Sequence, residues 1–579
     1  LSPLVSLSSL SLPVAIMDIV PLVTSFIGLL LISYLVEKVF KRFRGGRRPP
    51  LPPGPKGLPI VGNVNDLPKP GELEAHHWLK HKELYGPAEL EQKLTFTSGT
   101  GPISSITTMG QTIVILNDAQ LANELFDKRS VKHSSRPSQT LTGEMVGLKD
   151  LTGMLVYGER LRVHRKNMSR IIGSKTAASQ YNTLQEAEVG HFLLHLLDDP
   201  GNLVEHIKRL VGRVHLEECR RTDKLLREAG SLILKIAYGY TAEPFKEDPL
   251  LGMIEETMDN FAKGAVPGAF LVDIFPFLRY IPEWVPGTGF KQIAKQWRAQ
   301  LQGTRDKPYA FVEHQMAQGK DNGSFLAHLL ESSDPSPEND FNNKYSALAL
   351  YGGGADTTVS SIATFFLAMM VYPEVQQKAQ AEIDRVVGQE RLPNIHDREE
   401  LPYIEALAKE VMRWHPIGPM GLPHSSTEDD IFEGYFIPKG AMVFPNIWHF
   451  THDPERYPDP MTFKPERFLV SDGHEPEVDP HKFVFGFGRR ICPGRILAEN
   501  SIFLTVAQTL AVYSLSKPVR DGRVVEPSIK FTPGVISHPE PFDISIKPRS
   551  PHHEKLIRAI EETYPWQPSD AKTLESLQV

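Results

Sequence analysis

The sequence predicts a mainly α-helical domain with small β-sheets, preceded by one membrane-spanning helix. Apolar residues recur at helical spacing through most of the chain, which is typical of amphipathic helices that share a core. Two short apolar runs, 111–116 (QTIVIL) and 442–447 (MVFPNI), predict strands. The third observation is an uncharged run at 19–36 (IVPLVTSFIGLLLISYLV), which is about as long as a bilayer crossing requires.

The charges around this apolar run indicate its orientation. Asp18 precedes the run, and six lysines and arginines follow it between positions 38 and 48. Positive charge on the C-terminal side keeps that side in the cytoplasm, whereas a cleaved signal peptide would carry its basic residues first. We therefore predict a single-pass anchor at 17–36 in the endoplasmic reticulum membrane, with the folded domain in the cytoplasm. A buried core helix is the alternative.

The remaining chain divides into four parts. Residues 1–16 precede Met17 and are predicted to be upstream sequence outside the native protein. Residues 37–59 form a basic and proline-rich linker, in which five prolines between 49 and 55 forbid helix. Residues 60–546 have the pattern of one globular domain. The polar tail at 547–579 is expected to fray.

Composition excludes several classes of protein. The formal net charge is −7, which argues against general nucleic-acid binding. The only cysteines among 579 residues are Cys219 and Cys492. Two cysteines support neither a disulfide framework nor a four-thiolate metal site, so one special thiol is the natural hypothesis.

Cys492 lies in a glycine-rich stretch, 485–494 (FGFGRRICPG). A thiolate binds a metal where backbone N–H groups, a helix N-terminus or cations stabilise its charge. We expect Gly486 and Gly488 to direct amides at the sulfur, Arg490 to supply a cation or bind an acidic cofactor group, and Pro493 to open a long helix. The alternative is a glycine-rich turn around an inert cysteine.

This spacing resembles the haem-binding loop of the cytochrome P450 family, and the resemblance extends over residues 60–546. It implies the cytochrome P450 fold, with Cys492 as the axial thiolate of haem b (iron protoporphyrin IX). The cofactor-binding residues that it implies are Phe485, Gly486, Gly488, Arg490, Cys492 and Gly494 in the loop, with Arg165 and His424 as propionate contacts. Leu161 stands where the family usually has tryptophan, which puts one propionate contact in doubt.

Three further motifs follow the order of the family. KEVMRWHP supplies Glu410 and Arg413, three apart and therefore on one helical face, and FKPERF supplies Arg467. The resemblance implies that these three form a structural triad beneath the haem. We assign them no catalytic role.

The motif YGGGADTTVSS places the glycines 352–354 inside an otherwise good helix, where each costs up to about 1 kcal/mol relative to alanine. A helix that leaves room for O2 gains from that cost, whereas a core helix does not. Asp356 and Thr357 resemble the acid–alcohol pair of the family, which implies proton delivery during O2 reduction.

The resemblance implies a haem-thiolate monooxygenase that inserts one atom of O2 into an apolar secondary metabolite or xenobiotic. Electrons would come from NADPH through a separate cytochrome P450 reductase, with cytochrome b5 as an optional second donor and membrane lipid as a further contact. Arg489, Arg490 and Arg495 are candidates for a basic face toward that reductase. The candidate pocket residues are Gly353, Ile417, Met420, Leu422, Val535 and Ile536.

Two segments look inserted relative to similar fungal family members, at 88–102 and 210–227, and we interpret both as retained introns. Two alternatives to the monooxygenase therefore stay open. One is a haem-binding but catalytically impaired product of mis-splicing. The other is an oxygen-independent isomerase or dehydratase on the same fold, against which the acid–alcohol pair argues.

Overall fold

In this computed structural model the described residues are 48–69, 71–85, 101–203, 231–246, 248–265, 269–320, 323–471 and 473–577. The predicted anchor at 17–36, the predicted insertion at 210–227 with Cys219, and all but the last two residues of the insertion at 88–102 lie outside them. The described part is mainly helical with small sheets, as the periodicity predicts.

The α-helices, numbered in chain order, are α1 (Glu74–Leu84), α2 (Ala119–Asn123), α3 (Ser130–His133), α4 (Glu159–Ile172), α5 (Lys175–Ala178), α6 (Asn182–Asp198), α7 (Ser231–Tyr238), α8 (Pro249–Ala265), α9 (Leu271–Ile274), α10 (Phe290–Ala317), α11 (Phe325–Ser332), α12 (Pro337–Ala355), α13 (Thr357–Val371), α14 (Pro373–Val386), α15 (Pro402–Trp414), α16 (Ile447–His452), α17 (His481–Val484), α18 (Arg495–Val512), α19 (Pro551–Arg558), α20 (Ile560–Thr563) and α21 (Ala571–Ser576). Short 3-10 or π turns connect several of them.

The strands are β1 (Ile103–Thr108), β2 (Gln111–Leu116), β3 (His424–Ser425), β4 (Asp430–Phe432), β5 (Tyr435–Ile437), β6 (Met442–Pro445), β7 (Tyr513–Ser516), β8 (Val519–Arg520), β9 (Arg523–Val524) and β10 (Ser545–Pro548). The largest sheet has the order β1-β2-β6-β3. Its central pair is parallel, with Ile113 opposite Met442. Both strands that the sequence predicts therefore exist, and they pair with each other.

Two hydrophobic clusters hold the helices together. The first is built around α13, α15 and α18, and the second around α8, α10, α11 and α12. Helix α18, which the sequence predicts directly after the cysteine loop, belongs to both clusters through Leu497 in the second and Ile502 in the first. The cysteine loop is thus fixed to the centre of the domain.

The chain after residue 547 does not fray. Ile557 and Ile560 are buried in the first cluster and Leu574 in the second. Helices α19 and α20 lie against α6, where a Cβ on Gly190 would come within 2.8 Å of Ile560. The expectation of fraying was wrong because this segment is polar only on average. Its apolar residues are spaced to face the core.

Among the described residues one helical run, Pro337–Val371, which comprises α12 and α13, is long and apolar enough to cross a membrane. However, 82% of its most apolar window is buried inside the protein, so it has the character of a core helix.

Candidate active site

The cysteine loop is a tight turn between α17 and α18. The N–H of Cys492 donates to the carbonyl of Phe485 at 2.7 Å and closes it. Gly486 and Gly488 have φ values of +76° and +49°, in the left-handed region that favours glycine. A Cβ on Gly488 would lie 2.3 Å from the backbone oxygen of Phe126, so this glycine permits a close contact between two backbone segments.

The backbone amide that acts on Cys492 is not the one that the sequence predicts. Burial raises the pKa of the thiol, while the backbone N–H of Gly494 and the positive charges of Arg165 and Arg495 oppose that rise. Gly486 instead donates its N–H to the carbonyl of Phe483 at 3.1 Å. The backbone N–H that favours a thiolate at Cys492 is therefore that of Gly494, where the loop leads into helix α18. The N-terminus of a helix favours a bound anion in the same way.

A cationic cluster shares the cavity with Cys492. The cluster consists of Arg136, Arg165 and Arg490, with the imidazole of His424 beside them. No aspartate or glutamate is among the described residues that line this cavity. Burial lowers the pKa of Arg490 to about 10 with help from Arg165, and lowers the pKa of Arg136 and of His424 well below their usual values. Such a cluster favours a ligand with negatively charged groups.

Backbone carbonyls fix the orientation of the cluster. Arg136 donates to the carbonyls of Leu422 and Pro423 at 2.8 and 2.7 Å, and Nε of Arg490 donates to that of Ser134 at 2.6 Å. Arg165 donates to the carbonyl of Ile491. The ring of His424 donates from Nδ1 to the carbonyl of His133 at 2.6 Å.

Arg136 was missed by sequence reasoning. It lies in an unremarkable stretch, HSSRPS, and its 7% exposed fraction is visible only in the folded chain. Leu161, at the usual tryptophan position, is buried at the wall of the same cavity. Arg136 thus adds a guanidinium group to the cavity that has Leu161 at the usual tryptophan position.

The three glycines of α12 differ in their surroundings. A Cβ on Gly354 would come within 2.7 Å of Ile233, and one on Gly352 within 3.3 Å of Met258. All three glycines border the cavity, but a Cβ on Gly353 would meet nothing within 4 Å. Close helix packing therefore explains Gly352 and Gly354, whereas Gly353 is the glycine that keeps space open.

The helical run breaks at Asp356, between α12 and α13. The hydroxyl of Thr357 donates to the carbonyl of Gly353 at 2.8 Å, which bends the run, and Thr357 borders the cavity. Asp356 does not line the cavity. Its carboxylate is buried behind the wall, where Oδ1 lies 3.6 Å from Nε2 of His538.

Glu410, Arg413 and Arg467 come together as the sequence predicts. Glu410 accepts from Nε of Arg413 at 2.7 Å and from Nε of Arg467 at 3.2 Å, and the three side chains are at most 2% exposed. Arg413 also donates to the carbonyls of Thr451 and Pro460 at 2.9 and 2.8 Å. Arg467 likewise donates to backbone carbonyls and to the carboxylate of Glu477.

The cavity encloses about 420 Å³ and has a mainly apolar wall. Five of the six predicted pocket residues line it: Gly353, Ile417, Leu422, Val535 and Ile536. Met420 does not, because its side chain packs with Trp78 and Ile106 on the far side of the loop. A turn explains this correction: the N–H of Gly421 donates to the carbonyl of Gly418 at 3.0 Å, so Met420 stands at the tip of the turn and not at the cavity wall.

Comparison with known proteins shows the family to which this chain belongs. The Cytochrome P450 profile matches residues 52–546. The chain belongs to the cytochrome P450 family. It is 45% identical over 529 residues to cytochrome P450 monooxygenase claR of Ampulloclitocybe clavipes, which covers 91% of this chain and 92% of the relative.

Other cytochrome P450 relatives are also fungal. Cytochrome P450 monooxygenase ppsD of Aspergillus oryzae is 44% identical over 533 residues, with 91% of this chain and 94% of the relative covered. O-methylsterigmatocystin oxidoreductase of Aspergillus flavus is 40% identical over 550 residues, covering 94% and 96%. The chain is accordingly an enzyme of the monooxygenase class.

The cofactor of this family is haem, and the described residues fit it. One thiol, Cys492, lines a cavity whose cationic cluster matches two propionate groups, while Leu497 and Ile502 offer an apolar surface to the porphyrin. Gly488, which the resemblance implies as a cofactor-binding residue, is the exception, since it packs against Phe126 and does not border the cavity.

Proposed function

We propose that the enzyme inserts one oxygen atom from O2 into an apolar secondary metabolite or xenobiotic, with electrons from NADPH through a separate reductase. The observation that carries this proposal is the combination, in one cavity, of a thiol, a cationic cluster and an apolar wall that borders an open glycine. Haem bound through a thiolate supplies the activation of O2, in which the thiolate donates electron density.

The residues of this chain have separate roles in the proposal. Cys492 ligates the iron, and Arg136, Arg165, His424 and Arg490 orient the cofactor through its propionates. Gly353 leaves room for O2 beside α12. Thr357 holds a hydroxyl at the cavity edge, and Asp356 behind it supplies protons, a task for which a positioned carboxyl group is suited.

The wall supports a neutral and mostly apolar substrate. Ile417, Leu422, Val535 and Ile536 present aliphatic side chains, and no lining residue among those described offers a carboxylate for a cationic substrate. Apolar pockets bind ligands mainly through burial, with few polar contacts to set orientation. A difference-spectrum screen with a metabolite library is the experiment that identifies the substrate. Binding confined to charged compounds would contradict the proposed class.

Replacement of Cys492 by alanine tests the ligand assignment. We expect Cys492→Ala to lose the Soret band of the reduced CO complex from which the family takes its name, together with reductase-driven turnover, because no other described residue at the cavity offers a thiolate. Cys219→Ala is the matched control and should change neither. Loss of the band in Cys219→Ala with retention in Cys492→Ala would refute the assignment.

We also propose that the reductase docks near the cysteine loop. Arg489 and Arg495 are exposed there, and the exposed Arg162 lies with Arg489 around the ring of Tyr157. Arg490 is no part of this face, because its side chain is held inside the cavity. Arg489→Glu should raise the KM for reductase without altering the CO spectrum, whereas an unchanged KM would exclude this surface.

A second membrane contact is proposed beside the predicted anchor. Five apolar side chains between 271 and 284 are exposed: Leu271 (66%), Phe275 (38%), Phe277 (61%), Tyr280 (74%) and Trp284 (83%). Aromatic side chains grouped in this way favour the bilayer interface.

Deletion of residues 1–48 should leave haem incorporation intact and permit residual flotation with phosphatidylcholine vesicles. Adding Trp284→Ser and Phe277→Ser should abolish that flotation. Val470→Ser, at an equally exposed position (80%) elsewhere, is the control. Flotation that survives the double substitution would exclude this contact.

A further inference from the structure

A buried histidine faces the carboxylate of Asp356. Nε2 of His538 lies 3.6 Å from Oδ1 of Asp356, and the two residues are 6% and 9% exposed. Neither atom has a hydrogen-bond partner among the described residues. Buried polar atoms are almost always satisfied, so two such atoms that face each other indicate a contact that forms and breaks.

The loop that carries His538 is fixed to the helix that carries Asp356. Ser360, one turn beyond Asp356, donates its hydroxyl to the carbonyl of Ser537 at 2.6 Å. The N–H of Ser537 donates to the carbonyl of Ile417 at 2.8 Å. The N–H of His538 donates to the hydroxyl of Thr532 at 3.0 Å. His538 is therefore held close to Asp356 by its backbone, while its ring stays free to approach.

The same loop forms part of the substrate cavity. Val535 and Ile536 line the wall, three and two residues before His538, and Ile417, to which Ser537 is bonded, also lines it. A substrate that presses on these side chains acts on the loop that sets the distance between His538 and Asp356.

We propose that His538 is the proton donor to Asp356, so that proton delivery uses the series His538, Asp356 and Thr357. The protonated ring gives the proton on Nε2 to Oδ1 of Asp356, the electron pair of the N–H bond remains on Nε2, and the neutral ring keeps its proton on Nδ1. Nε2 then takes up a proton supplied by solvent, which restores the protonated ring. This inference rests on the proton-delivery role proposed for Asp356 and Thr357. His538 is a positioning residue, since it acts through Asp356.

The test compares four variants in the full-length, haem-loaded enzyme: His538→Gln, His538→Phe, Asp356→Asn and the double variant Asp356→Asn with His538→Gln. Glutamine keeps a hydrogen-bond donor but cannot exchange a proton, which separates proton transfer from simple support. His553→Gln is the control, because His553 is also a buried histidine with an unbonded Nε2, in helix α19 away from the cavity.

The first readout is the peroxide released per NADPH consumed, with added reductase and no added substrate. We expect a several-fold increase in His538→Gln and in His538→Phe, no change in His553→Gln, and the same value in the double variant as in Asp356→Asn alone. A yield in His538→Gln equal to that of the unsubstituted enzyme, while Asp356→Asn raises it, would overturn the inference alone. An unchanged yield in Asp356→Asn would overturn the proposed role of Asp356 as well.

The second readout does not depend on turnover. In protein labelled with 15N-histidine, the ring signals that disappear in His538→Gln should shift in Asp356→Asn, whereas those lost in His553→Gln should not. Unshifted His538 signals in Asp356→Asn would exclude contact between the two side chains in solution.

Discussion

Two buried clusters of charge in this domain differ in how completely they are bonded. In the ion network of Glu410, Arg413 and Arg467, each side chain has several hydrogen bonds. The pair of Asp356 and His538 is also buried, yet its facing atoms stand 3.6 Å apart with no hydrogen-bond partner among the described residues. Hydrogen bonds fix the geometry of the first arrangement, whereas they leave the facing atoms of the second unconstrained.

The glycines of α12 repeat this difference on a smaller scale. Gly354 is closely packed against Ile233, while Gly353 faces open space. Complete bonding and close packing specify a fold, whereas incomplete bonding and free volume allow a ligand or a proton to move. Substitution of a fully bonded or closely packed residue should therefore change stability, whereas substitution of a residue with unmet bonds or free space should change ligand binding or proton transfer.

The largest expected effect is on the ion network. Glu410→Ala should reduce the free energy of unfolding by about 3–5 kcal/mol, because it leaves two guanidinium groups buried without their carboxylate. Glu477→Gln is the milder control, since Glu477 contacts only Arg467 and is 13% exposed. Chemical denaturation of the two variants measures the difference. If both variants lost the same small amount of unfolding free energy, the network would be no more important for stability than the pair of Asp356 and His538.

Gly353→Ala and Gly354→Ala should change the stability of the protein in opposite directions. Gly354→Ala should lower stability by about 1–3 kcal/mol through its clash with Ile233. Gly353→Ala should raise stability by up to about 1 kcal/mol, since alanine favours helix and finds space there. In binding titrations, only Gly353→Ala should weaken imidazole, a probe that binds haem iron from the cavity. Weakened imidazole binding in Gly354→Ala alone would reverse the assignment.

The smallest expected effect on stability is at Thr357. Loss of its hydroxyl bond should cost about 0.5–1.5 kcal/mol, yet the peroxide released per NADPH should rise because a proton is no longer placed correctly. Thr364→Ala is a matched control, because Thr364 makes the same bond to the residue four positions earlier, to Ser360 at 2.8 Å, away from the cavity. Thr357→Ser should restore the original yield. If Thr357→Ala and Thr364→Ala released equal amounts of peroxide, the only role of Thr357 would be to bend the helix.

What the sequence predicts well is local. The cysteine loop, helix α18 after it and the partners Glu410 and Arg413 all depend on spacing along a short stretch of chain. The strands at 111–116 and 442–445 follow from their composition, although their pairing with each other does not.

What the sequence misses depends on contacts between distant segments. Arg136 and His538 acquire their neighbours only on folding, and Met420 and Arg490 turn to sides that no pattern specifies. The buried apolar residues of the tail, such as Ile557, were overlooked because average polarity hides a few well-placed side chains. Their partners lie elsewhere in the chain.

The contact of Ile560 with α6 at Gly190 has a consequence for folding during synthesis. Helix α6 leaves the ribosome early, but the segment that covers this face follows only after almost all of the described domain has been made. Until then the apolar surface beside Gly190 is open to chaperones and to other nascent chains. A stop codon just before Ser550 would make that exposure permanent, so such a chain should be captured by quality control even though its haem loop is intact.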